Sequence, residues 1–162
     1  MIEMPVVREI PLRHIVDELL DAGLLIAGGF PLYLMGGAET YTDIDAYCTD
    51  WRQFYDIYGN WRDFYVERTP NAITYRIDGE LVQVVQPWVL QQTLEDLLNT
   101  TDMSASACGL LRSAGEYSVL VKYPEDIEHR VCRVLDEHEW TWYRKKQYEM
   151  KGFTVIQNFD KL

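Results

Sequence analysis

Two short stretches carry residues able to do chemistry together. Gly28-Gly29 closes the apolar run 24–27, and Asp43-Ile44-Asp45 follows, its first aspartate fourteen positions after Gly29. Alternate side chains of an extended strand share a face, so Asp43 and Asp45 project together while Ile44 points into the core. Adjacent carboxylates repel unless a cation lies between them, and hard divalent ions such as Mg²⁺ take one or two carboxylates together with substrate phosphates. A glycine pair beside them lets phosphate oxygens approach backbone N–H groups with no Cβ in the way. Order and spacing therefore point to a phosphate-and-metal site. Each pair alone has a plainer explanation: aspartates often end strands, and two glycines make a tight turn.

The elements that must position these residues are readable from periodicity. Leu12, Ile15, Val16, Leu19 and Leu20 recur at helical spacing, so 11–23 reads as a helix with Gly23 at its C-terminal end. A short strand over 24–27 then feeds the glycines, and a second helix over 30–35 opens near Pro31 and stops at Gly36-Gly37. Residues 43–48 form the strand that carries the aspartates. Asp50 caps a helix running to about Gly59, and 64–67 is a further strand. Asp78-Gly79 joins strands 72–77 and 81–86 as a hairpin. A helix is expected over 90–98, a second strand pair over 105–111 and 117–121, and a helical tail with one or two breaks over 126–148. The layout is an α+β domain, a mixed sheet packed against helices with a helical C-terminal tail. One domain over 1–162 is expected, its core at about 11–123 and its tail at about 126–151.

Composition excludes several roles. The formal net charge of −11 repels a long polyanion over most of the surface, so no stand-alone DNA binding is expected. No apolar run approaches the roughly 18–20 residues that span a membrane. The start Met1-Ile2-Glu3-Met4-Pro5 lacks the regions of a signal peptide. Cys48, Cys108 and Cys132 are widely spaced and odd in number, which reads as buried thiols in a cytoplasmic protein, not a disulfide or zinc site. The basic stretch Arg144-Lys145-Lys146, with Lys151 beyond it, fits either a phosphate contact or a solvated helix face. Trp140, Trp142, Tyr143 and Tyr148 fit either base stacking or packing of the tail onto the sheet. His14, His129 and His138 read as structural or surface residues, and Asp63 and Glu67 as solvated charges.

With this layout the sequence resembles the nucleotidyltransferase fold shared with DNA polymerase beta, in which a strand, a Gly-Gly or Gly-Ser turn and a helix precede D-x-D on the next strand. Gly28-Gly29 matches the turn and Asp43-Ile44-Asp45 the carboxylate pair. The likeness is nearest to small nucleotidyltransferase-like proteins of phages and large DNA viruses, which show an aspartate-serine-cysteine strand and a late K/R-K-Y-x-x-R/K-G segment. Here 102–108 reads Asp-Met-Ser-Ala-Ser-Ala-Cys, and 144–153 reads Arg-Lys-Lys-Gln-Tyr-Glu-Met-Lys-Gly-Phe. A viral origin would place the protein in the host cytoplasm. The resemblance implies that Asp43 and Asp45 coordinate two Mg²⁺ (or Mn²⁺) ions, and that Gly28 and Gly29 set backbone N–H groups against the β- and γ-phosphates of an NTP. The reaction would move a nucleoside monophosphate onto an unknown hydroxyl acceptor and release pyrophosphate.

Two positions depart from the family's pattern. Phe30 stands where the family commonly has Ser or Thr, which predicts a reshaped nucleotide pocket. The family's third carboxylate belongs on the strand 81–86, where the matching residue is Gln83; Glu80 and Asp102 are the other candidates for that role. An amide offers a neutral oxygen, a far poorer metal ligand than a carboxylate. Three readings follow. The first is a metal-dependent nucleotidyltransferase. The second is a catalytically degenerate member that binds a nucleotide or a host or partner protein. The third is an unrelated α+β domain whose aspartates merely end a strand.

Overall fold

The computed structural model describes residues 1–88 and 92–157. In chain order its first half contains β1 (Ile2–Pro5), α1 (Arg13–Asp21), β2 (Leu25–Ile26), α2 (Gly29–Leu34), β3 (Ile44–Tyr47), α3 (Trp51–Asn60), β4 (Tyr65–Arg68), β5 (Ala72–Ile77) and β6 (Glu80–Val85). Then come α4 (Leu94–Asn99), β7 (Cys108–Ser113), β8 (Glu116–Val121), α5 (Pro124–Glu128), β9 (Val131–Arg133), α6 (Thr141–Met150) and β10 (Thr154–Ile156).

Local chemistry explains most boundaries. Ile15, Val16 and Leu19 give α1 its buried stripe, and Gly23 follows its last turn with φ +89°, the left-handed geometry that stops a helix. Asp50 accepts from the Gln53 N–H while the Gln53 side chain accepts from the Asp50 N–H, a reciprocal cap that starts α3. Asp78 and Gly79 both take positive φ, as the tight turn between β5 and β6 requires.

The main sheet runs β2-β3-β6-β5-β4. β3 and β6 are parallel, and the other neighbours are antiparallel. A smaller antiparallel sheet, β1-β8-β7, adjoins it where Ala27 bridges Gly109. Ile26, Ile44, Ala46, Val82 and Val84 from the main sheet pack with Phe30, Leu32 and Leu34 of α2 and with Val16 and Leu19 of α1. Burying these apolar faces is what fixes the register of β3 against β6, since a one-residue slip would turn the aspartates into the core.

Three features depart from the expected elements. β1 lies in a segment with no strand signal of its own, and it is held by pairing to β8. Within the tail, α5 and α6 are helical, but the break between them contains β9, which pairs in parallel with β10. His129 and His138 therefore sit outside the final helix. Of the helix expected over 90–98, residues 90 and 91 lie outside the described residues, and α4 begins at Leu94 with Thr93 as its cap. No described helix is long and apolar enough to cross a membrane.

Candidate active site

Asp45 projects from β3 while its neighbours Ile44 and Ala46 are fully buried. Asp43 immediately precedes the strand on the same side. Asp45 pairs directly with Gln83 across the parallel β3–β6 ladder. Directly opposed residues share a face, and both line two adjoining hollows of about 930 and 330 Å³. Gly28 and Gly29 border the larger hollow with Asp45 and Tyr47, and Gly29 also borders the smaller one with Asp43. The structure therefore brings together all four residues that the sequence singled out.

Their geometry is specific. Gly28 has φ +96°, a conformation that a side chain would strain, and a Cβ there would stand 3.7 Å from Asp45 Oδ2. Its N–H donates to the Cys108 carbonyl at 2.9 Å, so that group anchors the turn to β7 and is not turned toward a ligand. Gly29 and Phe30 open α2, where the first N–H groups have no partner within the helix. The Phe30 ring is fully buried, meets Tyr41 edge-on at 5.0 Å and is not among the residues lining either hollow.

Asp45 is electrostatically frustrated. Its Oδ1 is buried and, among the described residues, has no hydrogen-bond partner. Burial first, then the charge and hydrogen bonding of Asp43, push its carboxyl well above the usual carboxylate range, while Arg144 and Lys151 pull it back. A positive charge placed between the two carboxylates would relieve both terms.

Neither Glu80 nor Asp102, the two other candidates, is free to fill the third position. Glu80 shares the strand parity of the buried Val82 and Val84, opposite to Gln83, and accepts a hydrogen bond from Tyr41 at 2.8 Å. Asp102 lines the larger hollow but is fully engaged. Arg144 donates to it twice, Nε to Oδ2 at 3.1 Å and Nη2 to Oδ1 at 3.0 Å. Trp140 N–H donates to His138 Nδ1 at 3.1 Å, which makes Nε2 the protonated ring nitrogen and donor to Asp102 Oδ2 at 2.9 Å. Burial alone would push the Asp102 carboxyl up; the Arg144 hydrogen bonds and charge, with the His138 hydrogen bond, outweigh it and hold it low. The residue standing beside Asp45 is Gln83.

The tail closes the site, which sequence reasoning read only as an open choice. Residues 144, 147, 148 and 151 recur at helical spacing, and Arg144, Gln147, Tyr148 and Lys151 all line the smaller hollow with the aspartates. Tyr148 is buried, whereas Trp140, Trp142 and Tyr143 remain exposed, so the aromatic cluster divides between packing and surface. Glu67, expected to be a solvated charge, is exposed but borders the larger hollow. Only the i, i+3, i+4, i+7 pattern of the basic segment could have revealed the inward face of α6.

A glycine turn, a paired-aspartate strand and a parallel neighbour converge on one cleft. The chain has a nucleotidyltransferase fold. It superposes on the Thermotoga maritima CCA-adding enzyme in complex with tRNA with a TM-score of 0.65 and 14% identity, over 99% of this chain and 44% of that one. A CCA-adding enzyme in complex with ATP gives 0.68 and 15% identity, over 96% and 43%. A tRNA nucleotidyltransferase bound to a primer tRNA and an ATP analogue gives 0.53 and 16%, over 86% and 46%. The chain thus spans less than half the length of these enzymes. No family model and no curated protein matches it in sequence.

The donor set fits one divalent cation. Two neighbouring carboxylates, one with a buried oxygen lacking a partner, suit a hard ion that prefers oxygen. For a second ion the site offers the neutral amide oxygen of Gln83, and no group of three or more acidic, histidine or cysteine residues suited to a metal occurs among the described residues.

Proposed function

We propose that the protein is a nucleotidyltransferase that binds a nucleoside triphosphate with Mg²⁺ or Mn²⁺ at Asp43 and Asp45 and moves a nucleoside monophosphate onto a hydroxyl acceptor. The observation that carries this reading is the partnerless, buried Oδ1 of Asp45 beside Asp43 at the mouth of the glycine turn. Bound there, the ion would neutralise triphosphate charge and acidify the attacking hydroxyl. The chain's own residues do the rest. Gly28 leaves space over the Asp45 carboxylate, and Gly29 leaves space over the start of α2. The Asp102–Arg144 pair ties the tail to the cleft, which supports one nucleotidyltransferase-like domain over 1–162.

The relatives in complex with ATP, CTP or tRNA support a nucleotide as the ligand class. The acceptor is a hydroxyl on a small molecule, an RNA end or a protein. A second reading, nucleotide binding without turnover, is favoured by Gln83 in the place of a carboxylate. The test is incubation with each α-labelled NTP and Mg²⁺ or Mn²⁺, beside an Asp43→Ala/Asp45→Ala variant. Label transferred by the native protein and lost in the variant supports the transferase. Binding of metal and nucleotide without transfer selects the second reading, and no binding overturns both.

A further inference from the structure

The four basic residues of 144–151 are not equivalent, and one stands where a phosphate chain must pass. Arg144 is taken up by its two hydrogen bonds to Asp102. Lys146 points away, 3.6 Å from Glu149 and over the Trp142 ring. Lys145 lies off the inward face marked by residues 144, 147, 148 and 151. Lys151 ends that face. Its Nζ lies 2.9 Å from the point a Cβ on Gly29 would occupy, so a side chain at position 29 would push the ammonium aside. Both residues border the smaller hollow with Asp43 and Asp45.

Lys151 is also held in place. Its carbonyl accepts from Arg130 Nη2, and Arg130 Nη1 donates to the Gly37 carbonyl beyond α2. The Arg130 guanidinium lies 4.2 Å over the Phe153 ring, and Phe153 is buried against Tyr148. Gly152, at φ +91°, turns the chain from α6 into β10, whose pairing with β9 pins the far side. The ammonium itself rests 4.6 Å over the Tyr148 ring, and the charges of Asp43 and Asp45 act on it as well.

We propose that Lys151 binds the phosphate chain of the nucleotide at Gly29, so that the C-terminal helix is a built part of the nucleotide site. The assignment rests on the nucleotide reading of the cleft. It also accounts for the glycine at position 29, which keeps the space between ammonium and helix start open. The ligand class is a nucleoside di- or triphosphate, recognised through its terminal phosphates and not its base.

The test is calorimetric binding of the four NTPs, their mono- and diphosphates and inorganic tripolyphosphate, with Mg²⁺, to the native chain, Lys151→Met and Lys151→Arg. Lys151→Met is expected to weaken triphosphate and tripolyphosphate binding about 10- to 100-fold, as loss of a charge-assisted contact does. Monophosphate affinity and thermal midpoint should hold, and Lys151→Arg should recover part of the loss. Native affinity for triphosphate in Lys151→Met would overturn the assignment and leave the nucleotide site standing. Equal loss for mono- and triphosphates with a lowered midpoint would overturn it in favour of a structural role. Absence of all nucleotide binding by the native chain would remove the nucleotide reading and this assignment together.

Discussion

Asp45 and Gln83 are direct partners across the parallel β3–β6 pair, so a carboxylate and an amide project side by side into the same cleft. That juxtaposition defines the chemistry available. In the proposed function the two aspartates would supply the charge for one divalent ion, and the amide a neutral oxygen and two donors.

Restoring a carboxylate at that position should strengthen the site. Gln83→Asp is expected to raise Mn²⁺ affinity about tenfold, because ligand charge sets the affinity of oxygen sites. Calorimetry with Mn²⁺ checks this, and any labelled-nucleotide transfer should rise with it. Unchanged affinity would mean that position 83 does not face the ion.

Asp45→Asn should stabilise the fold while removing cation binding. The native carboxylate is held buried next to a like charge, and a neutral amide escapes both the burial of charge and that repulsion. The expected gain is about 1 kcal/mol in urea unfolding at neutral pH. A loss of stability would show that Asp45 is satisfied in the native protein.

Much of this was legible in the sequence because it depends on short-range rules. The Asp50–Gln53 cap, the Asp78-Gly79 hairpin and the glycine turn each announce themselves within a few residues. Gln83 is singled out through the family resemblance, which puts a third carboxylate on its strand, and the register sets it directly opposite Asp45. The partners of Asp102 were hidden because Arg144 lies 42 positions away and no periodicity links them. β1 and β9 were missed for the same reason: short strands stabilised by distant pairing carry no local alternation. The inward face of α6 was encoded, but a mean hydropathy reading of a polar helix does not show which side is covered.

The Asp102 latch predicts acid sensitivity. Its folded carboxyl titrates below the ordinary value of 3.8, so its stabilising contribution is complete above that pH and is lost as pH falls through the lowered folded value. Asp102→Asn should cost about 2 kcal/mol at neutral pH, since it weakens a charge-assisted pair to a half-buried Arg144. Unfolding midpoints from neutral pH down to acid should show the native and variant curves converging at the low end. Parallel curves would refute the latch.

Gly29→Ala tests the space beneath Lys151 without touching a charge. Position 29 lies in a helix and has no positive φ, so the alanine backbone is unstrained. Thermal stability should stay within about 0.5 kcal/mol. Affinity for triphosphate should fall about tenfold as the ammonium is displaced. Unaltered affinity would show that the methyl group is accommodated without moving Lys151.

The most direct test of the central claim is anomalous scattering from crystals grown with Mn²⁺ and a non-hydrolysable NTP. The account predicts a Mn²⁺ peak coordinated by Asp43 and Asp45, with phosphate density between Gly29 and Lys151, and no peak in Asp43→Asn/Asp45→Asn. Nucleotide bound elsewhere, with no Mn²⁺ between the two aspartates, would contradict it.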